Sequence, residues 1–385
     1  MHIIYRMTRS VTMLCRFGYL LLGLSLYLSI FSFSANAIEP ESMGQETLGT
    51  PEPTWVFVRD GLGPLYLFDL ADGQMQGLLS ITPFTPAVEV NLDKGEFYAA
   101  ESYYSRGTRG DRTDVLTVYD MASMAPKAEI EIPKKIAALY FRRYIALMDD
   151  DRHIAVFNMT PAQSVTVVDL DAQNFVGEIS TPGCALNVPT AGRGFFQLCG
   201  DGKIQLIRLN DAGEEASRNR SRSFFDIEED PVFDKTVRYG SGWLLISYQG
   251  RVFNVTIDGD DINISRPWRL QTDDEIAAHW NPGGSQFFDY HQELDLLFVV
   301  MNNIEGYSHD HAGSEVWVYQ GQRRIARVPL SHPAANIFVT QDAEPKFAVT
   351  SEDMAMHVYD VATLKLERSI TGIGVAPGYL QGLAR

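Results

Sequence analysis

One short pattern recurs along this chain of 385 residues and limits its fold more than any other feature. An apolar strand ends in Asp or another polar residue, a polar turn follows, and a second strand returns. The clearest copy is Ser164 to Ser180, SVTVVDLDAQNFVGEIS. Val165, Val167 and Phe175 can face a core, and Asp169 can bond the turn backbone two residues on, as Asx side chains do. Further copies begin at Pro64, Val115, Lys203, Arg251, Glu315 and Ala355. Their turns open at 69, 120, 169, 209, 257, 319 and 360, a mean spacing of about 48 residues. A repeat of that length, with short strands and no long helical periodicity, predicts an all-β fold: a seven-bladed β-propeller of four-stranded antiparallel blades over residues 55–385.

The segments ahead of the repeats have different chemistry. Arg6, Arg9 and Arg16 precede an almost wholly apolar stretch, Phe17 to Phe33, and then the small-residue site Ala35-Asn36-Ala37. This is the pattern of a secretory signal peptide, residues 1–37, cleaved after Ala37. A retained membrane anchor is the rival reading. Residues 38–54 are acidic, proline-bearing and without periodicity, as expected of an extended arm. Cleavage moves the net charge from −17 to −20, a surface that repels phosphate backbones and disfavours nucleic acid as a partner.

Export also leaves two cysteines, Cys184 and Cys199, in an oxidising compartment. They flank CALNVPTAGRGFFQLC, whose turn residues Thr190 to Gly194 lie midway between them. An antiparallel hairpin there places the two opposite each other, so a disulfide is expected.

Sequence signatures of catalysis are scarce. Gly61-Leu62-Gly63 lies between two strands rather than before a helix, and a Walker sequence, a G-x-S-x-G elbow and H-E-x-x-H are all missing. His309-Asp310-His311 offers two imidazoles on one strand face but no evident third ligand, so no metal is assigned to it. Arg106, Arg109 and Arg112 crowd the loop RGTRGDRTD, which reads either as a solvated loop or as a contact for a partner protein. The 62-residue interval between the fifth and sixth turns carries two longer loops, so that side of the ring is a candidate functional face.

Several passages together resemble the heavy chain of quinoprotein amine dehydrogenases, the methylamine and aromatic amine enzymes. They are YYSRGTRGDRTDVLTVYD, CALNVPTAGRGFFQLCGDG, WNPGG, YHQELDLLFVV and MHVYDVATLKLERSI. The resemblance implies a periplasmic heterotetramer of two heavy and two light chains. In it the light chain carries tryptophan tryptophylquinone, oxidises primary amines to aldehyde and ammonia, and passes electrons to a small blue copper protein. The heavy chain would scaffold the light chain and shape the substrate channel, with no catalytic residue or cofactor of its own. The resemblance places Phe84 at the channel and Cys184 and Cys199 at the intrachain disulfide. Asn281 and Asp310 stand where the family has basic residues, while the bulky ring of Phe84 favours a small aliphatic amine. Two other classes fit a propeller of this kind: a lactonase-type hydrolase with a divalent ion in its tunnel, and a plain interaction module.

Overall fold

The computed structural model describes residues 47–85, 87–135, 141–159, 162–306, 309 and 311–383. The expected signal peptide and most of the arm lie outside them. Strands begin at Trp55, and every pairing between named strands is antiparallel. The architecture is a β-propeller with four-stranded blades.

The repeated pattern is the outer hairpin of each repeat, and its turn is built the same way several times. Asp69 accepts the N–H of Ala71, Asp120 that of Ser123, Asp169 those of Asp171 and Ala172, and Asp360 that of Thr363, at 2.8–3.0 Å. A residue four positions after each Asp has positive φ: Gly73, Met124, Gln173 and Leu364. The strand ladder shifts register just before each of these turns. The motif is thus a bulged hairpin closed by an Asx bond and one left-handed residue.

Burial falls from the inside of a blade to its rim. Trp55–Asp60 is buried at every position, and Leu296–Asn302 at all but its first. Sheets packed on both faces hold such strands, so their sequences read as continuous apolar runs. Outer strands such as Met75–Ser80 and Glu215–Arg220 have no buried position. The ring is sealed by pairing Pro377–Gly382 with Trp55–Asp60, so the last strand lies in the same sheet as the first.

Blade number is where the expectation needs correcting. Five sheets of blade size are separate, four with four strands and one with five. The repeats that begin at Glu315 and Ala355 are not separate blades but lie in one eight-stranded sheet, joined by the 17-residue strand Arg323–Val339. That strand pairs first with Gly313–Gln320 and then with Lys346–Ser351. Its Pro329 and Pro333 hold the chain extended instead of turning it, so the strand continues from one repeat into the next across an irregularity between Pro329 and Ala334.

Two local features depart from the strand plan. Arg142–Tyr144 forms a 3-10 turn, and Asp273–Ala277 a short helix capped by Thr272 and Glu275. Among the described residues no helix is long and apolar enough to cross a membrane.

Candidate functional site

Phe84 sits in the crossing from the first sheet to the second, between strands Met75–Ser80 and Val88–Asn91. Loops at such crossings are ordinarily mobile, but this one is held from several sides. Fully buried Arg59 donates to the carbonyls of Thr85 and Thr82, at 3.0 and 3.2 Å. Lys135, also fully buried, donates from Nζ to the carbonyl of Phe84 at 2.7 Å. The hydroxyls of Thr82 and Thr85 meet at 3.0 Å. The half-buried ring of Phe84 packs edge-on against Tyr104, centroids 5.1 Å apart.

Tyr104 ends the strand Glu96–Tyr104, whose hairpin with Arg112–Asp120 carries the arginine-rich loop. The three arginines of that loop part company. Arg106 and Arg109 are exposed at its tip, where the N–H of Arg106 bonds the carbonyl of Arg109. Arg112 turns inward. Its guanidinium bonds both carboxylate oxygens of Asp114 at 2.7 Å and the carbonyl of Lys135 at 2.5 Å, and lies 6.0 Å from the Tyr104 ring centroid. Phe84 and Arg112, remote in sequence, thus share one neighbourhood.

The electrostatics are those of a brace. Burial pushes the Lys135 ammonium down to about 7; Arg112 and Arg59 act in the same direction, against Asp114 and Glu101. Glu101 is itself fully buried and accepts the hydroxyls of Thr117 and Tyr119, at 2.6 and 2.8 Å. Three cations and two carboxylates therefore hold the Phe84 loop in one conformation. These charges are engaged with backbone carbonyls, with one another or with the hydroxyls of Thr117 and Tyr119, as in a structural support.

A second feature lies where the inner strands converge. A cavity of about 300 Å³ is lined by residues from Glu89 in the second sheet round to Gly382 on the closing strand. Arg142, Arg143 and Arg238 face it, with Glu89, Asp149, Asp289 and Glu293. Arg143 and Arg238 both lie against the indole of Trp243, at 4.5 and 4.4 Å. Burial, with Arg142 alongside, holds the Arg143 guanidinium below its ordinary value. Burial also pushes the Asp289 carboxyl up to about 6, opposed by the N–H groups of Val339 and Tyr290.

Cys184 and Cys199 stand opposite each other in their hairpin and form a disulfide. His309 packs between the rings of Phe233 and Tyr248, and Asp310 lies outside the described residues.

The sequence profile of the methylamine dehydrogenase heavy chain family matches residues 62–382. The chain belongs to that family. It is 29% identical over 314 residues to the methylamine dehydrogenase heavy chain of Methylobacillus flagellatus, covering 80% of this chain and 78% of that one. It is also 29% identical over 315 residues to the heavy chain of Paracoccus versutus, covering 80% and 73%. Among solved structures it is similar in fold to a functionally unknown protein from Desulfotomaculum acetoxidans, with TM-score 0.59 at 9% identity over 86% of this chain and 98% of that one. The hydrazine synthase of Kuenenia stuttgartiensis matches with TM-score 0.55 at 11% identity, over 85% and 99%.

Within this family member, sequence reasoning missed the groups that hold Phe84. Arg59 carried a usable signal, a lone cation inside the apolar strand WVFVRD. Lys135 and Asp114 carried none, being single charges in charged surroundings.

Proposed function

We propose that this chain is the heavy subunit of a periplasmic amine dehydrogenase. It is exported with residues 1–37 removed and assembles with a light chain as a heterotetramer of two heavy and two light chains. The light chain bears tryptophan tryptophylquinone, which oxidises a primary amine to aldehyde and ammonia and passes electrons to a small blue copper protein. This chain supplies no reacting group. Its part is to hold the light chain and, through Phe84, to set the width of the amine's approach. Family membership over residues 62–382 carries the reading. The braced loop agrees with it, since a ring held by Lys135 and packed on Tyr104 can act as a fixed wall. The relatives' names and the bulk of Phe84 favour methylamine or another small aliphatic amine as substrate.

Purification from the native host tests the assignment. A small subunit with quinone absorbance is expected to accompany the chain, whose first residue is expected to be Ile38. Amine turnover by the isolated polypeptide, or purification of the chain without any quinone-bearing companion, would overturn it. In the assembled complex, Phe84→Ala is expected to relax the preference for short over bulky amines by about tenfold, the scale of a few methylenes in an apolar pocket. An unchanged preference would remove Phe84 from the channel while leaving the subunit assignment standing.

A further inference from the structure

One group of side chains outside that neighbourhood has the donor set of a metal centre. His332 lies in the long strand Arg323–Val339, Asp353 in the turn after Lys346–Ser351, and His357 in Met356–Asp360. Their ligand atoms all lie within 4.8 Å of one another. Asp353 Oδ2 stands 3.3 Å from His357 Nε2 and 3.7 Å from His332 Nε2. The two imidazoles are nearly parallel, with centroids 5.4 Å apart.

A tetrahedral ion with bonds of about 2.0–2.1 Å separates its donor atoms by roughly 3.3 Å. The two His–Asp edges are already near that length, and the His–His edge is no more than 4.8 Å. His332 can close it, because its side chain is 49% exposed and free to rotate towards solvent-side positions. The other two donors are held from behind. His357 is buried, and its Nδ1 lies 2.8 Å from Ser369 Oγ, which leaves Nε2 directed at the carboxylate. Ser351 Oγ donates to Asp353 Oδ1 at 2.6 Å, which leaves Oδ2 directed at the two imidazoles. Such outer hydrogen bonds are what orients ligands at metal sites.

We propose that His332, Asp353 and His357 bind one divalent transition-metal ion, with water completing its coordination. Two imidazoles and one carboxylate suit zinc and its neighbours rather than calcium or magnesium. The ion would act as a clip. His332 lies in the irregular stretch of the long strand between Pro329, which pairs with Glu315, and Ala334, which pairs with both Gly313 and Ser351, while the other ligands flank the strand Lys346–Ser351 on its far side. Occupancy ties the crossing to the last repeat.

The test uses the full mature protein, without an affinity tag and freed of metal by chelator, titrated with Co²⁺ and separately with Zn²⁺. Saturable binding of one ion per chain, a visible cobalt band and a rise in Tm with zinc are expected. His332→Ala, at an exposed position that leaves folding intact, is expected to weaken binding by at least about tenfold and to abolish the zinc-dependent rise, as loss of a ligand does. Asp353→Asn is expected to weaken it in the same direction. The proposal is overturned if the wild-type chain shows no saturable binding, or if His332→Ala binds as tightly as wild type.

Discussion

Replacing Arg112 by Ala separates the two roles that its charged loop suggests. The Arg112 side chain is 17% exposed and that of Asp114 only 1%. Removing the guanidinium strips Asp114 of two ionic hydrogen bonds and the Lys135 carbonyl of one, leaving a buried carboxylate with Ser102 as its hydrogen-bond donor. Breaking a buried pair from one side costs 3–5 kcal/mol. Partial solvation of Arg112, and the positive charge Lys135 can regain once its like-charged neighbour is gone, put this case at the low end, about 3 kcal/mol. With roughly 2.1 cal/mol/K of unfolding entropy per residue over about 330 residues, that is a fall in Tm of about 4 °C. Arg106→Ala with Arg109→Ala removes two exposed cations and is expected to move stability by less than about 0.5 kcal/mol, under 1 °C in Tm. Calorimetry on the three proteins, with hydrogen exchange at the amides of Thr82, Phe84 and Thr85, reads the difference. Loss of protection in that segment should accompany Arg112→Ala alone. Equal Tm values for wild type and Arg112→Ala, or a larger fall in the double variant, would refute the assignment of Arg112 as a brace.

Lys135 gives stability a pH dependence whose sign is fixed. Its folded value near 7 lies below the ordinary 10.5, so between those limits the unfolded chain holds a proton the native chain lacks, and stability rises with pH by up to about 1.4 kcal/mol per unit. Urea unfolding at pH 7 and pH 9 should show a smaller difference between the two pH values in Lys135→Met than in wild type; equal differences would discard the reading. Reduction, or Cys184→Ser with Cys199→Ser, opens a loop of 15 residues and is expected to cost about 3 kcal/mol on the chain-entropy account. Thermal scans with and without reductant measure it, and unchanged scans would place the hairpin's stability in its packing alone.

What could be read from the sequence was what lies close together along it. Asp169 and Gln173 belong to one turn, so the hairpin is visible in a window of a few residues. The cysteine hairpin is legible for the same reason. The fusion of the last two repeats was hidden, because Pro329 and Pro333 look like breaks while in the structure they continue an extended strand. The support of Phe84 was hidden by distance: Arg59 lies 26 residues from Thr85, and Lys135 lies 51 from Phe84. The axial cavity assembles residues from strands a whole repeat apart, and no local pattern records that convergence.

Closure of the ring and placement of Phe84 are one structural problem. The strand Pro377–Gly382 seals the first sheet, and from it Tyr379 reaches the second, where its hydroxyl accepts the N–H of Val88 at 2.9 Å. Val88 opens the strand that follows the Phe84 loop. Burial pushes the Tyr379 hydroxyl up to about 12, so it remains protonated across the physiological range and its acceptor lone pair stays on Val88. The same strand is tied to the eight-stranded sheet by Gln286, which both donates to the carbonyl of Leu380 and accepts its N–H. The loop bearing Phe84 is therefore anchored at its start by Arg59 of the first sheet and at its end by the strand that closes the ring. Loosening that strand acts directly on the end of the Phe84 loop through the Tyr379–Val88 bond, whereas two strands separate it from the rim strand Met75–Ser80 of the same sheet.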